Sequence, residues 1–451
     1  MDSYDVIVIG MGVGGEEVAG QCAEAGLNVL GVEKNLAGGE CPYWGCIPSK
    51  MMVRAATALA EAGRVNELAG SSRTTPDWRP VADRVRDATA NWDDTAAVER
   101  FEKKGGSFLR GAARLVSPTE IEVAGRRFSA ARGIAIASGG APAVPPIEGI
   151  DTVDVWTNRE AIEATELPVS AVVLGAGPVG LELAQTFHRF GCEITIVEMG
   201  DHALPAEEPE NGEAMGKVIE ADGMKLFTGI SADKFASVDG GVEVSLSDGS
   251  SVAAERLLVA TGRRSDLESV GVRDAGLEPK GGAIQVDEHC RAAPGIWAVG
   301  DVTGRGGFTH VAVYQGRIAA ADIIGRDHAP ADYTAVPRVT FTDPEVAGVG
   351  MTEAEARDRG LKTKPGVAKT SSSTRGWIHG PGAEHGVIKL IADAEAGVLV
   401  GGSVMGPPAG EIIGFLGLAI REKIPVANLT QLIYPYPTFV RGLEDALREL
   451  G

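Results

Sequence analysis

Two segments share one pattern of apolar and polar positions. In "YDVIVIGMGVGGEEVAGQCAEAGLNVLGVEKN" a β-branched apolar run, Val6 to Ile9, meets Gly10, Gly12 and Gly15. A helix-like segment follows, then a second apolar run that ends on Glu33. "AVVLGAGPVGLELAQTFHRFGCEITIVEMG" repeats the order with Gly175, Gly177, Gly180 and Glu198. Strand, G-x-G-x-x-G, helix, strand and an acid about 20 residues on is the pattern of a dinucleotide-binding unit. The glycines let the backbone turn sharply and approach a pyrophosphate. The helix start offers it free N–H groups and a positive dipole end. The acid accepts hydrogen bonds from a ribose diol. One such glycine pattern is weak; two complete copies predict two dinucleotide sites.

Residues from about 50 to 105 have apolar spacings of three and four and are predicted helical, apart from the polar loop "GSSRTTPDW". Strands are predicted from Gly106 to Ser138, with "IEVAGRRFS" as a hairpin, and the Pro-rich run before Gly149 marks a boundary. "GGVEVSLSDGSSV" is predicted as a second hairpin. "LLVATGRRSDL", which contains Gly262, and "GIWAVGDVTG", which contains Asp301, are apolar strands ending in Gly-rich turns. Asp301 therefore lies just past a strand's C-terminal end, where α/β sheets bind ligands. Beyond Val336, strands ("VPRVTFT", "GVIKLIAD", "GVLVGGSVMG") alternate with helices ("TEAEARDRG", "GEIIGFLGLAIREK") and no nucleotide fingerprint is present. The expected fold class is α/β, with two Rossmann-type units and a C-terminal α+β domain. The expected division is 1–149, 150–270, a return to the first domain over 271–334, and 335–451.

The 451 residues are 44% hydrophobic and 23% charged, ordinary globular values for a chain of several domains. A net charge of -20 argues against a nucleic-acid surface or docking on anionic lipid. The N-terminus has no basic region before its apolar run, and no run approaches the roughly 18 residues of a membrane span. The expectation is a cytoplasmic protein. There a stable disulfide is rare and a close cysteine pair is more often catalytic or metal-binding.

The chain has five cysteines, and two of them, Cys41 and Cys46, stand together in "GGECPYWGCIPSK". A structural bond, half a metal site and a redox pair are the three readings. Zinc needs four ligands. Cys22, Cys192 and Cys290 are isolated, no His lies at ligand spacing to the pair, and no metal is expected.

From the first fingerprint through "GGECPYWGCIPSK", the second fingerprint, "VATGR", "AVGD", "FTDPEVAGVGMTEAEA" and "YPTF", the chain resembles the pyridine nucleotide–disulfide oxidoreductases. This is the flavoenzyme family of dihydrolipoamide dehydrogenase, glutathione reductase and mercuric reductase. The resemblance implies FAD on the first unit, a nicotinamide nucleotide on the second and a homodimer formed through the C-terminal domain, with each active site completed by the partner subunit. It implies that Asp301 binds the flavin ribityl chain, and that Lys50 stands near the flavin with Glu182 as its carboxylate partner. His310 opens a helix whose start would face the flavin; as a lone histidine it is more ordinarily a helix-start residue bonded to backbone. The resemblance also makes Cys46 the flavin-facing thiol and Cys41 the interchange thiol of a redox disulfide fed by NADH through FAD. In a straight helix the two Cα atoms would be about 8.7 Å apart, and a disulfide needs roughly 4.4–6.8 Å. The segment must therefore bend, and Pro42 and Gly45 supply the means.

Glu198 favours a free 2'-hydroxyl and repels a 2'-phosphate, and "MGDHALP" after it holds no Arg, so NADH is expected over NADPH. The sequence departs from the family at the C-terminus. Disulfide-reducing members carry His-x-His-Pro-Thr-x-x-Glu; here Tyr434, Tyr436 and Arg441 stand at the two His positions and the Glu position. Tyr, with a pKa near 10, is a poor base at neutral pH, and a placed acid–base contributes roughly 10²–10⁴-fold. Arg441 would stabilise an anion or form an interface salt bridge. Mercuric reductases also carry Tyr there, but have a further C-terminal Cys pair, and no cysteine follows Cys290. Tyr43 and Trp44, between the cysteines, would shape a substrate pocket or pack beneath the flavin. The expected activity is electron transfer from NADH through flavin and the cysteine pair to a non-standard substrate. Quinone or dye reduction, soft-metal reduction and the thiolate-nucleophile chemistry of the carboxylase branch are alternatives.

Overall fold

The computed structural model describes residues 2–450. The chain forms two compact units, each assembled from separated stretches. The first takes the N-terminal stretch to Pro48, Arg84–Ala143 and Arg263–Tyr333. The second takes Ser49–Asp83, Val144–Gly262 and the chain from Thr334 onward.

In the first unit the strand Asp2–Ile9 lies at the centre of an eight-stranded sheet, flanked in parallel by Val29–Glu33 and Arg126–Ile136. Ser107–Arg110 and Ile296–Ala298 extend it in parallel on either side. Val6, Ile7 and Val8 are fully buried. That is why the run is continuously apolar: both faces of a parallel strand are covered. The helix Val13–Glu24 packs on the helix Thr309–Ile324, with Val18, Ala19, Ile318 and Ala319 in one core. The hairpin predicted in "IEVAGRRFS" is Glu120–Val123 against Arg126–Ile136.

In the second unit a five-stranded parallel sheet runs in the order Lys225–Phe227, Glu193–Val197, Ser170–Leu174, Arg256–Val259, Val155–Trp156. The second predicted hairpin is Gly241–Leu246 against Ser251–Ala254. The chain beyond Thr334 builds a five-stranded antiparallel sheet. Against it the helix Ala409–Arg421 buries Ile412, Ile413, Leu416 and Ile420.

The predicted helical stretch starts earlier and is interrupted. Its first helix is Cys46–Leu68. The segment from Val81 to Lys104 is two helices, Arg79–Ala88 and Thr95–Lys103. They are broken at Ala90, Asn91 and Trp92, all with positive φ. The break lets Asp94 turn inward, where its carboxylate accepts from the backbone of Ala37 at 2.6 Å and pairs with Arg110. A tertiary hydrogen bond overrides helical periodicity here. The strand Glu345–Gly350 and the helix Gly442–Arg448 were not legible in the pattern. Among the described residues, no helix is long and apolar enough to cross a membrane.

Candidate active site

The two glycine loops are built alike. Gly10 and Gly175 have φ of +92° and +99°, and a Cβ on either would press into the carbonyl of the neighbouring strand end, Ala137 O at 2.4 Å or Ala260 O at 2.6 Å. A Cβ on Gly15 would lie 1.9 Å from Gly10 O, and one on Gly180 2.0 Å from Gly175 O. No side chain fits these four positions. Each loop is pinned by its acid. Glu33 accepts from Met11 N at 2.8 Å and Asn35 N at 2.7 Å; Glu198 accepts from Ala176 N and Gly200 N, both at 2.7 Å. Neither helix start has a side-chain cap, so its N–H groups stay available to an anion. Around the middle glycines the loops differ. Gly12 forms a parallel bridge with Gly38, Gly38 N donates to Met11 O at 2.7 Å, and a Cβ on Gly39 would lie 2.8 Å from Gly12 Cα. Gly177 has nothing within 4 Å of where its Cβ would be, and Pro178, Val179 and Met199 beside it are exposed.

The segment that covers Gly12 carries the cysteines. Glu40–Tyr43 is one helical turn, the chain breaks at Trp44 and Gly45, and the long helix begins at Cys46. At the break Gly45 lies against the preceding turn, where a Cβ would be 3.1 Å from Glu40 O and 3.3 Å from Cys41 Cα. This is the bend that the cysteine spacing requires. Both cysteines are free thiols. The Cys46 thiol hydrogen-bonded to it, together with burial, pushes the Cys41 thiol well above its ordinary range, while the Thr309 hydroxyl draws it down. Thr309 also lies 3.2 Å from Cys46 Sγ, in hydrogen-bonding contact. Thr309 is the first residue of its helix, so the cysteines meet a helix N-terminus, where negative charge is favoured. Tyr43 is buried and tilted against the half-buried Trp44. Cys22, Cys192 and Cys290 are buried, each pushed up to about 12 by desolvation. They are inert core thiols.

Lys50 and Glu182 meet: Nζ donates to Oε2 at 2.6 Å, and Glu182 is 4% exposed. The other oxygen of Glu182 accepts from Phe341 N at 2.9 Å, and Lys50 Nζ lies 4.8 Å from the centroid of the Phe341 ring. The carboxylate is held by a cation and a backbone donor, so the ammonium is fixed in place.

Asp301 is in the short 3-10 turn that follows the strand Ile296–Ala298, and Arg263 Nε reaches its Oδ2 at 3.4 Å. Arg263 also donates to Gly140 O and approaches Glu40 at 3.6 Å, linking the cysteine segment to the Asp301 turn. Gly262, with φ +117°, is exposed and open on its Cβ side. His310 is exposed and stacks on Phe308.

The C-terminal substitutions divide. Tyr434 is buried and donates to Leu429 O at 3.0 Å. Tyr436 is 66% exposed and reaches only Thr374 Oγ1, at 3.4 Å. The Arg441 guanidinium lies 5.4 Å from the Tyr436 ring centroid and pairs with Glu444 at 2.5 Å. Glu444 is shared between Arg441 and Arg448, so its carboxylate is committed to two guanidiniums. Thr309, Phe341 and Arg263 were missed as site residues. Thr309 and Phe341 act across 263 and 159 residues, and Arg263 joins Asp301, 38 residues on, to Glu40; Arg263 and Phe341 stand inside "VATGR" and "FTDPEVAGVGMTEAEA" without a role being read for them.

Two glycine-loop units in one chain, with a pair of adjacent thiols folded over one of them, define a redox enzyme that uses two nucleotides. Residues 4–316 match the family described as pyridine nucleotide-disulphide oxidoreductase, and residues 336–447 match its dimerisation domain. The chain belongs to this family of FAD-dependent, NAD(P)H-dependent flavoprotein disulfide oxidoreductases. It is 37% identical to a dihydrolipoyl dehydrogenase of Thermus scotoductus over all of this chain and 98% of that one. It is 30% identical to a mercuric reductase of Staphylococcus aureus over 98% of this chain and 82% of that one. Among solved structures it is similar to the HOCl-induced flavoprotein disulfide reductase RclA from Escherichia coli in its Cu(II) complex. There the TM-score is 0.86 and the identity 26%, over 99% of each chain.

Proposed function

We propose that the chain passes electrons from NADH through FAD to the Cys41–Cys46 pair, and on to an acceptor that needs no strong acid–base beside the attacking thiol. The observation that carries this reading is the Tyr436–Arg441–Glu444 arrangement, in which an exposed phenol stands where the family's histidine would be and the Glu444 carboxylate is tied to two arginines.

Both glycine loops leave uncapped helix starts suited to a pyrophosphate. FAD would be held by Gly10, Gly12, Gly15, Glu33 and Asp301, and the nicotinamide nucleotide by Gly175, Gly177, Gly180, Glu198 and Gly262. When bound, FAD supplies the two-electron relay between nicotinamide and sulfur. The chain's own groups do the rest. Lys50, fixed by Glu182, presents a positive charge one helical turn after Cys46. Thr309 can donate to a thiolate sulfur and, with the start of its helix, would favour thiolate over thiol. Cys41 is the attacking thiol. Its raised pKa and the absence of a base leave it mostly protonated at neutral pH, which favours acceptors that displace the proton themselves. NADH would be preferred because the Glu198 carboxylate would repel a 2'-phosphate and residues 199–208 contain no arginine. The exposed Leu432, Ile433 and Tyr436 lie in the stretch matched to a dimerisation domain, and we propose that a second copy covers them.

A metal ion is such an acceptor, since two sulfurs bind a soft or borderline ion with release of their protons. The similarity to a reductase solved with Cu(II) favours this second reading. The test is anaerobic NADH oxidation with lipoamide, a quinone and Cu(II) as acceptors, comparing wild type with Cys41→Ser. The proposal expects weak lipoamide turnover and a thiol-independent quinone background. It also expects at least one acceptor whose turnover collapses in the variant. Vigorous lipoamide turnover, or no acceptor that depends on Cys41, would sink it.

A further inference from the structure

At the far end of the helix that starts beside the cysteines stands a cluster the redox chemistry does not use. His289, Asp322 and His328 each offer a ligand atom, and these atoms all lie within 4.8 Å of one another. Asp322 is in the last turn of Thr309–Ile324, 13 residues and about 20 Å along the helix from Thr309. His289 lies in the turn before the strand Arg291–Ala293, and His328 in the segment that returns from the helix. The two segments are joined by Ala331 N donating to Glu288 O at 2.7 Å.

The hydrogen bonding around Asp322 leaves one position to explain. Oδ2 accepts from Arg291 Nε at 2.6 Å and Trp297 Nε1 at 2.8 Å; Oδ1 accepts from Arg291 Nη2. An ionised carboxylate has about four lone-pair directions, so one remains, on Oδ1. His328 Nε2 lies against it at 3.5 Å. Nδ1 of the same ring is 3.1 Å from Ala329 O, a contact that places a proton on Nδ1. In the neutral Nδ1–H tautomer Nε2 faces Oδ1 lone pair to lone pair at 3.5 Å, the outer limit of a hydrogen bond. A cation between them resolves the conflict. The second imidazole, that of His289, stacks edge-on at 5.0 Å, its buried Nδ1 has no hydrogen-bond partner among the described residues, and Glu288 lies 4.0 Å from its Nε2. A ligating imidazole whose other nitrogen donates to a backbone carbonyl is the usual way a protein orients histidine toward a metal.

We propose that His289, Asp322 and His328 form a site for a divalent first-row transition ion, of which zinc is the test case. Imidazole and carboxylate suit such an ion. Its bonds of about 2.0–2.2 Å would require the donors to close by roughly an ångström from their present limit. Arg291 is the opposing charge. Its side chain is half exposed and can swing outward as the ion takes up the free direction on Oδ1. The ion would staple the return segment to the turn at residues 287–291, remote from the thiols.

Flavin-loaded protein carrying Cys41→Ser and Cys46→Ser, which removes competing thiol ligands, is dialysed against zinc alone at pH 7.5. The expected result is one zinc per chain and a rise in melting temperature. Both should be lost, with affinity down at least tenfold, in His289→Ala and in His328→Ala, while flavin content is unchanged. Arg291→Met should bind zinc more tightly. No stoichiometric zinc in the parent, or zinc binding in either histidine variant equal to the parent's, overturns the proposal.

Discussion

The two nucleotide units use the same backbone turn, yet one is covered and the other is open. In the first, Gly38 and Gly39 close over Gly12, and Gly14 packs so tightly under the helix Thr309–Ile324 that a Cβ would lie 3.2 Å from Ala312 O. In the second, Gly177 is bare and the entry to its helix is exposed. We propose that the cysteine segment helps retain a ligand on the first loop, and that one on the second loop would exchange with solvent. The difference suits a resident cofactor on the first unit and an exchanging co-substrate on the second.

The largest effect should come from filling the turns. Gly15→Ala and Gly180→Ala each force a Cβ to about 2 Å from a carbonyl oxygen, a clash worth about 3 kcal/mol or more. Gly15→Ala should give colourless protein, with flavin affinity down at least ~10²-fold. Gly180→Ala should stay yellow and lose nicotinamide affinity instead. Absorbance of the purified variants separates the two, and equal flavin loss in both would break the contrast. Gly39→Ala tests the cover alone. Its Cβ meets Gly12 Cα at 2.8 Å and its φ is +70°, so flavin should dissociate faster while the KM for NADH barely moves. Smaller again is the acid pair: Glu198→Gln should shift the NADH:NADPH preference in kcat/KM by roughly tenfold toward NADPH, and Glu33→Gln should leave it unchanged. The smallest effect is a pH displacement. Because the Cys46 hydrogen bond and burial raise the Cys41 thiol, its alkylation by iodoacetamide in reduced enzyme should climb only at alkaline pH. Thr309→Val removes a contact that favours thiolate and should move the climb further up.

The glycine loops, their acids and the bend between the cysteines were legible because their causes lie within a few residues of one another. The Lys50–Glu182 pair spans 132 positions and came only through resemblance. Thr309, Phe341 and Arg263 were missed, since their roles come from packing that the sequence pattern does not encode. The strand Glu345–Gly350 escaped because "EVAGVG" dilutes its apolar pattern with glycine, although four of its residues are buried. The His289, Asp322 and His328 cluster has no motif spacing and exists only because the segment after the helix Thr309–Ile324 folds back. At the C-terminus the sequence showed that the histidine and the acid were gone. That Glu444 is claimed by Arg441 and Arg448 needed the structure.

The close approach of Gly45 to Cys41 has a kinetic consequence. A backbone that already folds one cysteine turn against the other sets the effective concentration of each thiol at its neighbour. For well-oriented intramolecular partners that figure reaches roughly 10⁵–10⁸ M, far above the concentration of any free thiol. Once an acceptor is attached to Cys41, the neighbouring sulfur is placed to displace it before a thiol from solution can. On the proposed chemistry, one hydrogen atom in place of a side chain at residue 45 would protect the enzyme from capture by the thiols around it.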